Sequence, residues 1–275
     1  MSLPACVPNP FLCPFFSQSP VVEKYDISSL RVIFCAAAPL GKEIQVEAMD
    51  RLKLLVKQGY GMTELSPGSH VPYSDASKLV LGSIGVLLPN QEAKIVDPET
   101  GKELGYDEEG ELWIRGPNVM KGYLNRPDAT AETIDKDGFL HTGDIAKVNR
   151  DNYYFITDRL KELIKVKGLQ VAPAELEAVL LTHPAVADAA VIGVPEERAG
   201  EVPKAFVVLK PGQKQSKETS DSIIAFLGGK LAPHKQLRGG VEFMEAIPKA
   251  ASGKILRRIL RDQEKQKQMI PASKL

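Results

Sequence analysis

The sequence predicts an α/β segment over residues 1–80, a β-barrel-like subdomain over 81–157 and an α+β domain over 158–275. Three observations carry that order. The apolar run Leu30-Arg31-Val32-Ile33-Phe34-Cys35-Ala36 empties into small residues and is followed by a helical pattern and a glycine-rich turn. Short alternating runs separated by turn residues fill the middle of the chain. After Asp158, helical stripes and short apolar strands take turns.

The first run reads as a buried strand that ends at Ala37-Ala38-Pro39-Leu40-Gly41, with a helical pattern to about Leu55 and a turn at Gly59 and Gly61. Strand, helix and glycine-rich turn make an α/β unit, in which ligands are expected at the strand ends. Ala93-Lys94-Ile95-Val96 and Glu111-Leu112-Trp113-Ile114-Arg115 alternate with period two, and Asp97-Pro98-Glu99-Thr100-Gly101 supplies a turn between them. A small barrel or a meander fits this texture. Pro173 is placed to open a helix whose Leu176, Val179 and Leu180 form one apolar stripe. Ala189–Val194 and Ala205–Leu209 read as strands, and Lys217 to Leu231 as a second helix with Ile223, Ile224 and Leu227 inward.

The chain has 275 residues, enough for one large domain or two modest ones, each with its own core. Lysine plus arginine equals aspartate plus glutamate at 35 each, so no global field recruits nucleic acid or an anionic membrane. Hydrophobic residues make up 43% and charged residues 25%, an ordinary globular balance, and no apolar run is long enough to cross a bilayer. Cys6, Cys13 and Cys35 show neither a disulfide framework nor metal-ligand spacing. The first twenty residues lack a basic start followed by a continuous apolar core, and so make a poor secretory signal. Ser273-Lys274-Leu275 is the tripeptide read by the peroxisomal import receptor, which predicts a peroxisomal protein.

Four segments carry candidate chemistry. Gln58-Gly59-Tyr60-Gly61-Met62-Thr63-Glu64 holds a tight turn followed by a hydroxyl and a carboxylate. Thr142-Gly143-Asp144 puts an aspartate in a turn, where aspartate is common for local reasons alone. The stretch Asp158–Gly168 carries Arg159, Lys161, Lys165 and Lys167, which do not fall on one side at either regular period. A solvated charge run is the usual fate of such a segment. Ser252-Gly253-Lys254 lies near the end, in Pro248-Lys249-Ala250-Ala251-Ser252-Gly253-Lys254-Ile255. This is not a nucleotide P-loop, because a proline stands at the first glycine and Ile255 replaces the metal-binding hydroxyl. Asp135-Lys136-Asp137-Gly138 lacks the spacing of a calcium loop and reads as a turn.

Together with Gly110-Glu111-Leu112-Trp113-Ile114-Arg115-Gly116 and Met120-Lys121-Gly122-Tyr123, these segments resemble the adenylate-forming acyl-CoA synthetases, in particular the 4-coumarate–CoA ligase-like branch. The resemblance runs from about Ser19 to Arg261. It implies the C-terminal half of the adenylate-forming fold, with a mobile C-terminal lid domain. It also implies an acid–thiol ligase in which a small carboxylic acid attacks ATP to give an acyl-adenylate and coenzyme A then displaces AMP. On this resemblance Gln58, Gly59 and Tyr60 form an adenine wall, Thr63 meets a phosphate oxygen and Glu64 serves Mg²⁺, a hard ion that prefers oxygen. Asp144 and Arg159 hold the ribose, and Ala36, Lys161 and Lys165 adjoin the acyl-adenylate. Lys254 is the catalytic cation of adenylation. Lys165 and Gln170 belong to the catalytic face of the second step, where Lys167 and Gly168 flank coenzyme A. Asp158 to Lys161 is the hinge on which the C-terminal domain turns between steps.

Two departures qualify these expectations. The family's Ser/Thr/Gly-rich phosphate loop ending in Pro-Lys-Gly occurs nowhere here, so the chain resembles a fragment expected to bind ATP weakly by itself. Cys35-Ala36-Ala37-Ala38-Pro39 replaces the family's Ser-Gly-Ala-Ala-Pro, which puts a methyl where the acyl group approaches. A non-catalytic nucleotide-binding or regulatory module, and a luciferase-like oxidoreductase acting on its own adenylate, are the competing functions.

Overall fold

In the computed structural model, which describes residues 5–6, 20–36, 40–250 and 253–269, the predicted first strand is central to a small parallel sheet. Strand β1 (Ala5–Cys6) pairs with β2 (Val32–Cys35), and β2 with β3 (Leu55–Gln58), all parallel. Ile33 and Cys35 alternate inward from β2. Helix α1 (Lys42–Leu52) connects β2 to β3 and buries Ile44, Gln45 and Ala48. It stops at Lys53, whose left-handed φ of 55° lets its amide cap the Met49 carbonyl.

The chain then turns antiparallel. Strands β4 (Tyr60–Gly61), β5 (Gly68–Val71) and β6 (Val86–Leu87) form one sheet, with the 3-10 turn Thr63–Leu65 between the first two. Strands β7 (Glu92–Val96), β8 (Gly110–Arg115), β9 (Leu140–Val148) and β10 (Tyr154–Arg159) form a four-stranded antiparallel meander. Its ladder is open at β7 and β10, so the β-rich middle is a meander rather than a closed barrel. The expected turns are there: Asp97 accepts the Glu99 amide, and Asp135 accepts the Asp137 and Phe139 amides. Ile95, Leu112, Ile114, Leu140 and Ala146 fill the core beneath this sheet. Helix α2 (Pro127–Thr133) has only Pro127 and an acidic Asp128 in its first turn as sequence signals, and none of its residues is buried.

Contacts divide the chain into two compact units, Met1–Leu160 and Lys161–Leu275. In the second unit β11 (Ile164–Val166) and β12 (Leu169–Val171) make a hairpin, and α3 (Pro173–Leu181) follows. The two predicted short strands lie within a long hairpin, β13 (Val186–Glu196) and β14 (Gly200–Leu209), with Ala205–Leu209 forming the second half of β14. Sheet order is β12-β11-β14-β13, with β15 (Val241–Phe243) parallel to β14. Helix α4 (Lys217–Gly228) buries Ile223 and Leu227, as its stripe predicted, while Ile224 is half-buried. Helix α5 (Arg257–Met269) closes the unit and buries Leu260. Among the described residues no helix is long and apolar enough to cross a membrane. Residues 37–39, Ser252 and Ser273-Lys274-Leu275 lie outside the described residues.

Candidate active site

In the first unit, three predicted site residues meet. Strand β9 and strand β10 place Asp144 opposite Arg159, and the Arg159 Nε lies 3.4 Å from Asp144 Oδ1. From β4, the Tyr60 hydroxyl donates to Asp144 Oδ2 at 2.6 Å. Burial and the adjoining Asp144 carboxylate push the Tyr60 phenol well above its ordinary value, so it remains a donor at physiological pH. An ionised carboxylate has about four lone-pair sites, so the contacts from Tyr60 and Arg159 do not by themselves exhaust what Asp144 can accept.

The turn before Asp144 is firmly built. Thr142 Oγ1 donates to the Leu112 carbonyl at 2.7 Å and accepts the Asp144 amide at 3.1 Å. Gly143 adopts a left-handed φ of 69°, which glycine takes at no steric cost. Asp158, the residue before Arg159, is buried and accepts the Arg159 amide at 2.6 Å. Behind Tyr60 lies His70 on β5, 1% exposed, with ring contacts to Tyr60 and Tyr154. In sequence His70 directly follows Pro67-Gly68-Ser69, a setting that carries no periodic signal of burial.

Glu64 ends up half-buried on the Thr63–Leu65 turn, where its Oε1 accepts the Tyr123 hydroxyl at 2.8 Å and its carbonyl accepts the Met120 amide. Thr63 is exposed on the same turn. Tyr123 thus joins the site from the Met120–Tyr123 motif, and hydrogen bonding to Glu64 raises its phenol, with burial and the Glu64 charge adding to the shift. Among the described residues no group of three or more histidine, cysteine or carboxylate side chains could hold a metal by itself. Glu64 can offer one carboxylate, which suits a Mg²⁺ ion that keeps most of its shell as water and phosphate.

Two predicted residues are engaged internally. Gln58 is buried, its carbonyl oxygen accepting the Leu40 amide at 3.3 Å and its amide donating to Gln45 Oε1 at 3.2 Å. It ties Leu40 to Gln45 of α1, which is a packing role. Gly59 is glycine for a packing reason too, since a Cβ there would stand 2.4 Å from the Phe34 ring. Gly61 is still more constrained, with the Pro67 carbonyl oxygen 1.9 Å from where its Cβ would be. Ala36 is half-buried directly after β2.

In the second unit, Lys165 on β11 and Gln170 on β12 are register partners, both exposed. Lys167 and Gly168 are the two residues of the hairpin turn, with φ of 51° and 80°. Two left-handed residues in a two-residue loop match the right-handed strand twist. The basic stretch is therefore ordered: Ile164 and Val166 point into the core while Lys165 and the turn point outward. Lys161 is exposed on the 3-10 turn Leu160–Glu162, whose Glu162 pairs with Arg261 of α5. Lys254 is exposed beside a Lys249–Ile255 bridge, and its carbonyl accepts the Ala250 amide.

Comparison with known proteins gives the family. Residues 6–124 match the AMP-binding enzyme family and residues 175–254 match the AMP-binding enzyme C-terminal domain. The anthranilate CoA ligase AuaEII in complex with anthranoyl-AMP superimposes with a TM-score of 0.88 at 29% identity, covering 97% of this chain and 51% of that one. The chain belongs to the AMP-binding, adenylate-forming enzymes, in their 4-coumarate–CoA ligase-like branch. Probable 4-coumarate–CoA ligase 1 of Dictyostelium discoideum is 54% identical over 90% of this chain and 44% of its own length. The 4-coumarate–CoA ligase 1 of Glycine max is 50% identical over 89% of this chain and 84% of its own length. Luciferin 4-monooxygenase of Photinus pyralis is 45% identical over 92% and 45%. The chain thus spans about half the length of most curated relatives it matches.

Proposed function

We propose that the protein to which this chain belongs is an ATP-dependent acid–thiol ligase that makes an acyl- or aryl-CoA thioester. A carboxylate oxygen attacks the α-phosphorus of ATP and pyrophosphate leaves, giving the acyl-adenylate. The coenzyme A sulfur then attacks the acyl carbon, AMP leaves, and the thiol proton passes to solvent or a nearby base. The observation that carries this reading is the Tyr60–Asp144–Arg159 cluster, in a chain 50% identical to a 4-coumarate–CoA ligase over most of both lengths. Asp144 accepts from the ribose hydroxyls, and Tyr60 fixes that carboxylate while offering its ring face to adenine. Glu64 would hold Mg²⁺, with Thr63 beside it. The ion supplies charge neutralisation on the phosphates. Lys254 supplies the mobile positive charge of adenylation, Lys161 and Lys165 steady the adenylate, and Lys167 with Gly168 forms the turn past which coenzyme A comes. Gln170 supports Lys165 across the hairpin.

ATP–pyrophosphate exchange over a panel of aryl and fatty acids tests this reading, both in this chain and in any longer protein containing it. Exchange that depends on one acid class supports it and names the substrate, whereas no exchange from the longest form sinks it. The 45% identity to luciferin 4-monooxygenase favours one second reading, an oxidoreductase that oxidises its own adenylate. Oxygen consumption after adenylate formation would mark that activity. A nucleotide-binding module without catalysis is left if AMP binds and neither reaction occurs. Ser273-Lys274-Leu275 directs the protein to peroxisomes when it forms a free C-terminus. A fluorescent protein fused in front should be punctate with a peroxisomal marker and diffuse once Leu275 is deleted.

A further inference from the structure

One buried carboxylate of the first unit has no part in the chemistry above. Glu111 on β8 is 8% exposed, and both of its oxygens are bonded. Its Oε1 accepts the Gly143 amide at 2.9 Å and its Oε2 accepts the Trp113 indole N–H at 2.8 Å. These bonds bracket an irregularity in the β8–β9 ladder, where Glu111 faces Ile145 and Trp113 faces His141. Thr142, Gly143 and Asp144 therefore lie opposite Leu112 alone, a bulge that re-aims the strand. Inside such a bulge the Gly143 amide loses its regular ladder partner, and the Glu111 carboxylate takes that partner's place. The next residue is Asp144, which meets Tyr60 and Arg159.

We infer that Glu111 is a positioning residue for nucleotide binding: it fixes the β9 bulge that aims Asp144, and its second oxygen links that bulge to Trp113. This rests on the reading of Asp144 as the ribose acceptor. Trp113 is the only tryptophan in the sequence and stacks on His141 with ring centroids 3.7 Å apart. Its emission therefore reports the state of the same carboxylate.

The test compares Glu111→Ala, Glu111→Gln and Trp113→Phe in the full chain, using AMP and its 2′,3′-dideoxy analogue as probes. Glu111→Ala should speed exchange of the Gly143 amide and weaken AMP by roughly tenfold, the effect of losing a charge-assisted hydrogen bond. It should also erase the preference for AMP over the dideoxy analogue, which a general loss of stability would not do. Glu111→Gln, which keeps one acceptor oxygen, should restore part of both properties. Trp113→Phe removes a donor of the same carboxylate but leaves the Gly143 bond, and should change AMP affinity by less than about twofold. Unchanged Gly143 exchange in Glu111→Ala, or full ribose preference in that variant, overturns the inference. If Glu111→Ala does not fold, equal AMP losses in Glu111→Gln and Trp113→Phe overturn it, and a loss confined to Glu111→Gln supports it. A wild-type chain that binds no AMP defeats the nucleotide reading, while the exchange measurement still decides whether Glu111 holds the bulge.

Discussion

His70 shows how a single buried group ties stability to pH. Burial lowers its imidazole from 6.5 to about 3, and among the described residues its Nε2 has no hydrogen-bond partner. Above pH 6.5 the folded and unfolded states both hold it neutral, so stability is fully present there. As pH falls from 6.5 towards 3, the unfolded chain gains a proton that the folded chain refuses, and stability is lost. By about pH 5 the wild type should have lost about 2 kcal/mol more than His70→Leu, relative to pH 7.5. Parallel urea titrations at the two pH values check this, and equal losses in both proteins would refute it. Lys254 answers to a different measurement. In the longest available form, Lys254→Ala should lower ATP–pyrophosphate exchange on the order of a hundredfold or more, as removal of one transition-state charge does. It should leave thioester formation from a preformed adenylate close to wild type. Equal loss in both half-reactions would remove Lys254 from adenylation in particular.

The β11–β12 hairpin joins a structural requirement to a proposed functional one. Its two-residue turn needs left-handed backbone at Lys167 and Gly168, and asparagine adopts that conformation more readily than lysine. Lys167→Asn should therefore keep or raise stability, by up to about 0.5 kcal/mol, while removing the cation at the turn. A melting curve together with the coenzyme A dependence of the second half-reaction separates the two. If Lys167→Asn leaves the KM for coenzyme A unchanged, the lysine serves the turn alone. This hairpin was only half legible in the sequence. Lys161, Lys165 and Lys167 fall on no single side at either regular period, and such a stretch also fits a solvated charge run. What decides for a strand here is the pairing of Val166 with the distant Gly200 on β14, a contact no local pattern encodes. Helix α1, the β7–β10 meander and α4 were legible because their apolar spacing matches their burial. Gln58 and Gly59 illustrate the reverse case. Their motif was visible, yet their packing duties to Leu40 and Phe34 arise from contacts no local pattern encodes.

At the scale of the whole chain, the change of texture at Asp158 and the division into units do not coincide. Asp158 and Arg159 still pair with Ile145 and Asp144 in the first unit's last strand, so the break comes after them, between Leu160 and Lys161. A shift in composition marks where a pattern ends, while a unit ends where its last hydrogen-bonded pair does. The second unit also has what it needs to stand alone. Its core cluster draws every member from Ile164 to Leu260, and Leu176, Leu180, Phe206, Ile223 and Leu227 are fully buried within it. Its last helix is tied back by side chains of the same unit. Arg257 meets Glu177 at 2.7 Å, Glu264 meets Lys204 at 2.6 Å, and Lys267 pairs with Glu242. Burial alone would lower the Lys204 ammonium, but the bonds to Glu264 and Glu242 outweigh it and raise its pKa, so this anchor stays charged across the neutral range. Residues 161–275 should therefore fold without the rest of the chain, at a size where a single core suffices. Expressed alone, that segment should melt in one cooperative transition with dispersed amide resonances and unfold in urea with a slope proper to its size. Lys204→Met should lower the melting temperature, because it leaves the carboxylates of Glu264 and Glu242 without their shared cation. A gradual, uncooperative melt of the isolated segment would mean that its core is completed by residues outside 161–275.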